Sequence, residues 1–256
     1  MDPGAFRFAA GASLPLSARF IGSVEDSIDE SVRTANEAVE EGRALTEDEQ
    51  RDLVSQALMV ISFFPSPVFE FDMRYGVAEN FDLGFRFGSG GARLDAKWRF
   101  FQNSTLDAAA LVGYQRYSGF GYEFVKNLSS VFEVVAVAEH QRNDIDLGVL
   151  ISGTEDDDSI FVPYGSLRYM ASFNRIETEF GARFLGVGAV EQVDEYEETM
   201  QLLYGVIGAR VGVRRFHLQL ELGVGYVLFE PTIYGQPVDL SGLIFTPSIG
   251  LSFDTR

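Results

Sequence analysis

The sequence predicts an all-β fold: a closed antiparallel transmembrane β-barrel of 12 strands, with a two-helix insertion between strands 1 and 2. Three observations predict it. Most of the 256 residues alternate between apolar and polar side chains, the period of a strand with two unlike faces. The connections between alternating stretches are tight and long by turns. The net charge of -18 gathers in the long ones.

Period two is cleanest at the end of the chain. Across 243–253, Leu243, Phe245, Pro247, Ile249, Leu251 and Phe253 share one face; Ile244, Thr246, Ser248, Gly250 and Ser252 share the other. The first strand, 5–20, sets Phe6, Phe8, Ala10, Ala12 and Leu14 against Arg7 and Arg19, and Pro15 removes one ladder donor from it. Residues 23–60 change period. Val24, Ile28, Val32, Ala35 and Val39 recur at three or four residues, a helical stripe that Gly42 stops. Thr46 with Glu49 forms a capping box, opening a second helix that carries Leu53, Ala57, Leu58 and Val60.

Alternation then resumes. The stretches 68–77, 81–88, 92–101 and 106–117 each put aromatic and aliphatic residues on one face and Asp, Glu, Arg or Lys on the other. The stretches 131–139, 144–151, 161–173, 176–184, 202–213 and 217–228 repeat the pattern. Connections at 78–80, 102–105, 140–143, 174–175 and 214–215 read as tight turns on one rim. Those at 23–60, 118–130, 154–160, 192–199 and 229–242 read as long loops on the other, with 89–91 the one short loop among them. Residues 25–52, the acids 155–158, and Glu191, Asp194, Glu195, Glu197 and Glu198 hold all but one unit of the net charge, so the reading puts that charge on the loop rim.

Charges on the strands nearly cancel, as pairing across a confined lumen requires. Lipid tolerates no open sheet edge, so strands this apolar on one face close on themselves. A soluble double sheet is the competing architecture, and it gives no reason to segregate charge and loop length. The reading makes 1–256 one domain, with 23–60 as an acidic cap or plug.

Composition excludes several functions. Twenty Lys and Arg against 38 Asp and Glu argue against nucleic acid as a partner. The absence of Cys removes disulfides and thiolate metal sites, and two His leave little for a histidine-rich one, so neither metal nor cofactor is expected. No run of about 18 apolar residues exists, which excludes a transmembrane helix. The opening residues carry no signal peptide, so an exported chain implies numbering from a mature or engineered start.

With this alternation, these unequal rims and a last strand ending on Phe253, the chain resembles bacterial outer-membrane β-barrels. Asp254, Thr255 and Arg256 after the terminal aromatic depart from that pattern. The resemblance implies an outer-membrane location, contact with lipid and lipopolysaccharide, and a porin-like architecture; it names no substrate. The polar faces supply the lumen candidates: Arg74, Arg86, Arg93, Asp95, Lys97, Arg99, Asp107, Arg168, Arg183, Arg210 and Glu221. Glu133, Glu177 and Glu179 belong to the same inward set. Two readings are open for it, a charged path that selects small solutes and a sealed ion-paired core.

Ile28, Val32, Leu53, Ala57 and Leu58 are the plug or lid candidates, able to meet a small or lipid-like solute. The first expectation is a channel or transporter for small solutes. The alternatives are a non-transporting structural or surface-recognition barrel and a membrane-embedded hydrolase. Neither His140 nor His217 has a nucleophile beside it in sequence, so no enzyme is expected.

Overall fold

The computed structural model describes residues 3–63, 67–117, 135–154, 160–180, 193–213 and 215–255. Ten antiparallel strands form the barrel: β1 (Phe6–Ser13), β3 (Val68–Ala78), β4 (Phe81–Gly88), β5 (Gly91–Gln102), β6 (Leu106–Arg116), β7 (Val135–Gly153), β8 (Phe161–Phe180), β9 (Val193–Val213), β10 (Phe216–Leu228) and β13 (Gly242–Asp254). Each pairs with the next, and β1 closes the ring on β13 from Arg7 opposite Asp254 to Ser13 opposite Ser248. An eleventh strand, β2 (Leu16–Ser17), extends the pairing on the upper part of β13. A small hairpin, β11 (Thr232–Ile233) with β12 (Gln236–Pro237), lies between β10 and β13.

The ladder is therefore closed, with every barrel strand paired on both sides, as a hydrocarbon surrounding demands. The outward face of the ladder is apolar, with Leu94, Leu203 and Ile207 exposed at 62%, 55% and 68%. For a folded surface in water that would be a large unpaid cost; for a surface in lipid it is the expected belt.

Ten strands replace the expected 12, and the reason is physical. The stretches 131–139 and 144–151 are joined in one strand, β7, and 161–173 and 176–184 meet in another, β8. Strands β7, β8 and β9 are 19, 20 and 21 residues long, against 8 for β4 and 12 for β5. They run through the belt and stand above it as a tall wall. Where they leave the belt their polarity inverts. On β8 the outward side chains change from Leu167, Tyr169 and Phe173 to Arg175 and Glu177, while Ile176 and Thr178 turn inward and are buried. The polar stretches at 140–143 and 174–175 mark that level, not a turn.

Two consequences correct the sequence reading further. Glu177 lies on the outer face, in an ion pair with Arg175, and not in the lumen. β7 also ends at Gly153, paired with Leu106 beside the tight β5–β6 turn, and β8 begins at Phe161. The strand ends on either side of the acids 155–158 thus stand at the rim of the termini, not at the loop rim; the acids themselves lie outside the described residues. Glu133 and Glu179 side chains, like residues 181–192 with Arg183, lie outside what is described.

The first strand is shorter than expected. After Ser13 and the two residues of β2, the chain turns helical at Ala18, so α1 (Ala18–Glu40) begins before residue 23. It ends at Gly42, whose φ of 72° suits a residue without Cβ; the Gly42 and Arg43 amides donate to the Val39 and Ala38 carbonyls and close the last turn. α2 (Glu47–Phe63) starts with the expected box. The Thr46 amide donates to Glu49 at 2.8 Å, and Arg43 hydrogen bonds hold the Glu49 carboxyl down to about 2.

An isolated helix of this length is marginal, so its apolar stripe needs a partner. The partner is shared. Ile28, Val32, Ala35 and Ala38 of α1 and Leu53, Val54, Ala57, Leu58 and Val60 of α2 form one core with Val135, Ile176, Tyr196 and Met200 from the inner face of the tall wall. Val227, Phe229, Ile233 and Leu240, from β10 and the connection to β13, complete it.

Candidate functional site

Inside the belt the lumen is built from ion pairs arranged in tiers. Nearest the termini, Arg7 donates to Asp254 at 2.5 Å, with Arg210 at 3.9 Å and His217 at 3.8 Å from the same carboxylate. Lys97 meets Asp82 at 2.7 Å on the same level. Ser252 lies directly across the ladder from His217, so a Ser, a His and an Asp come together here that the sequence does not bring together. A catalytic relay needs hydrogen-bond contact between His and carboxylate, and 3.8 Å exceeds it. Arg7 already engages Asp254 with two nitrogens. The group is an ion-paired cluster in the lower lumen.

Higher in the lumen, Arg74 meets Asp95 at 2.5 Å, Arg93 meets Asp146 at 2.6 Å, and Arg168 also holds Asp146. Arg86 binds Glu70 at 3.0 Å, and Tyr164 donates to Glu221 at 2.7 Å. Inward glycines make room for these bulky groups. A Cβ on Gly84 would sit 2.7 Å from the Arg74 guanidinium, and one on Gly113 would sit 2.8 Å from that of Arg93. The network gains from full pairing because charges in a narrow protein interior are costly alone.

Of the sequence-derived lumen candidates, Arg74, Arg86, Arg93, Asp95, Arg168 and Glu221 surround one cavity of about 340 Å³. Lys97 and Arg210 sit in the lower tier, off that cavity. Asp107 is at the terminal end of β6. Arg99 is half-buried at the rim of the termini, donating to Asn80 and to the Glu79 carbonyl beside the β3–β4 turn, and does not line that cavity. Asp146, Tyr164 and Tyr204 join the site; alternation places all three on the polar face, Tyr164 with Arg168 and Tyr204 with Arg210, although the tyrosines do not stand among the charged lumen candidates.

The cavity has unlike walls. The arginines and acids stand on β3, β4, β5, β8 and β10, while β1 and β13 offer Gly11, Ser13, Thr246, Ser248 and Gly250. Ile28, Val32, Leu53, Ala57 and Leu58 do not line it; they are buried in the core above. Among the described residues, the apolar stripes of the insertion therefore pack on the inner face of the tall wall and not against this cavity.

Above the belt, His140 faces Tyr117 with ring centroids 5.3 Å apart. Burial, and then the positive charge of Arg142, push the imidazole down to about 4, against a weaker upward pull from Asn174 and Asp144. In the unfolded chain the ring protonates near 6.5, so below that pH the unfolded state takes up a proton that the folded state refuses. Stability falls as pH drops from about 6.5 to about 4, by up to about 3 kcal/mol. Urea unfolding of the folded protein across that window should show the slope, and His140→Gln should flatten it; an unchanged slope refutes the assignment.

No protein-family model matches the chain, and no curated protein matches it in sequence. Solved structures do. The N-terminal β-barrel domain of Pseudomonas aeruginosa OprF is 8% identical, with 99% of both chains covered and a TM-score of 0.35. The outer membrane protease OmpT from Escherichia coli is 8% identical over 98% of this chain and 96% of that one, TM-score 0.46. The Yersinia pestis attachment invasion locus protein Ail is 9% identical over 98% and 99%, TM-score 0.33. This chain resembles bacterial outer-membrane β-barrel proteins. A protease and an attachment protein among them have different roles, so the likeness is one of architecture.

Proposed function

We propose that this protein is a bacterial outer-membrane barrel that is closed to solutes and serves to hold the helical cap and the tall wall at the cell surface. It is a structural or recognition protein and not an enzyme. The belt supports the location. The carrying observation is the core beneath the cap: Leu53, Val54, Leu58 and Val60 are at most 1% exposed, and Ile28 and Val32 are buried with them.

Swinging the cap away would expose these six side chains, at about 1.5–3 kcal/mol each, so on the order of 10 kcal/mol in all. A lid open one time in a hundred tolerates an opening cost of only about 2.7 kcal/mol. The cap is a fixed cover by that comparison. Outside, Arg175 pairs with Glu177 and with Glu195 at 2.8 Å, a charged patch just above the belt that suits the headgroup layer of lipopolysaccharide.

Planar-bilayer recording tests the reading. Purified protein should insert and give no steady current. A sustained single-channel conductance would overturn it in favour of the second reading, passage of small solutes, which the 340 Å³ cavity favours. In that case neutralising Arg93 should alter ion selectivity.

A further inference from the structure

We propose that the lumenal cavity is a binding site for one small, uncharged, hydroxyl-rich molecule the size of a monosaccharide. The inference goes beyond the closed-barrel reading and stands whether or not the barrel conducts.

Volume sets the size. At about 340 Å³ the cavity lies at the lower end of ligand pockets, which span about 300–1,000 Å³.

Charge sets the class. The lining carries Glu70, Asp72, Asp95 and Glu221 against Arg74, Arg86, Arg93 and Arg168, a balanced set. These groups are already coupled to one another, so a net charge on a guest would find no free counter-charge in a low-dielectric site. A neutral guest avoids that cost.

Unused hydrogen-bonding atoms set the chemistry. Arg74 Nη1 is buried without a hydrogen-bond acceptor, while Arg86 Nε reaches Asp72 Oδ2 only at 3.5 Å and Arg93 Nε reaches Asp95 Oδ2 only at 3.6 Å, ion pairs too long to be good hydrogen bonds. The Arg93 side chain is only 7% exposed. Each buried donor left unmade costs about 1–3 kcal/mol. Hydroxyl groups both accept and donate, so a polyol can accept from Arg74 Nη1 and bridge the two long arginine–carboxylate contacts. The facing wall completes the fit. Gly11 and Gly250 leave space, and Ser13, Thr246 and Ser248 present three more hydroxyls.

The test uses the whole folded protein in a detergent without a sugar headgroup. Glucose, mannose and inositol are the neutral probes, with glucuronate and glucosamine as charged controls. Each is added after folding and, separately, during refolding, and binding is read by saturation-transfer NMR and by melting temperature. Saturable binding of at least one neutral probe is expected, with at least tenfold weaker binding of both charged ones. Ser248→Leu and Thr246→Leu, which fill the cavity from its small-residue wall, should each weaken neutral binding at least tenfold while the barrel stays folded. If one variant fails to fold, the other decides. No saturable neutral binding, preference for a charged control, or binding unchanged by the folded variant overturns the proposal.

Discussion

Leu58→Asp loosens the cap and leaves the barrel standing. Leu58 is 0% exposed in the core shared by both helices and the wall. Truncating such a side chain costs about 2–5 kcal/mol, and a carboxylate there adds the penalty of an unpaired buried polar group. The total exceeds about 4 kcal/mol, a large part of what the core shared by both helices and the wall contributes. The barrel ladder is closed without the cap. Trypsin should therefore cut at Arg33, Arg43 and Arg51 in the variant and spare them in the parent. The ten strands should keep the compact, heat-sensitive mobility of a folded barrel on a gel. Equal protection of the helices in both proteins would contradict the shared core.

Asp146→Ala should destabilise the barrel by about 3–5 kcal/mol, the cost of breaking a buried pair from one side. Asp146 is 3% exposed and answers both Arg93 and Arg168. Removing it leaves two guanidiniums facing each other, and only Asp95, 3.6 Å from Arg93, remains close. Glu37→Ala serves as the contrast. Its pair with Arg33 is on the exposed helix surface, where such contacts contribute about 0.2–1 kcal/mol. Urea unfolding of both variants in detergent should separate them by at least 2 kcal/mol; similar midpoints would mean that the lumen charges are hydrated.

The fold was legible wherever one rule governed a strand. From 68 to 116, lipid lies outside and lumen inside throughout, and the alternation marks β3 to β6 within a residue or two. The same rule fails on β7 and β8 because those strands cross from lipid into water. Phe173 and Arg175 both point outward, one into the belt and one above it. A pattern that equates outward with apolar reads that change as a turn. The error in strand number then reverses the rim assigned to the strand ends on either side of the acids 155–158.

The site was half legible. Inward arginines and acids follow from alternation, as Arg74, Arg86, Arg93 and Arg168 illustrate. Which of them meet does not, because register and stagger decide that Arg93 reaches Asp146 on β7 while Arg99, on the same strand, is left at the rim. The stripes of the two helices were readable. Their shared core with Ile176 and Met200 was not, since nothing in a period-two strand announces that its inner face has become the apolar one.

Single cysteines introduced along β8 and β9 test the central claim most directly, since the chain has no native cysteine. Labels at Leu167, Tyr169 and Leu203 should be quenched by brominated lipid tails and resist water-soluble thiol reagents. Labels at Arg175 and Glu197, on the same outward face but higher on the wall, should show the reverse. Lipid quenching at Arg175 and Glu197, or free aqueous labelling at Leu167 and Leu203, would contradict a ten-stranded barrel whose wall rises out of the membrane.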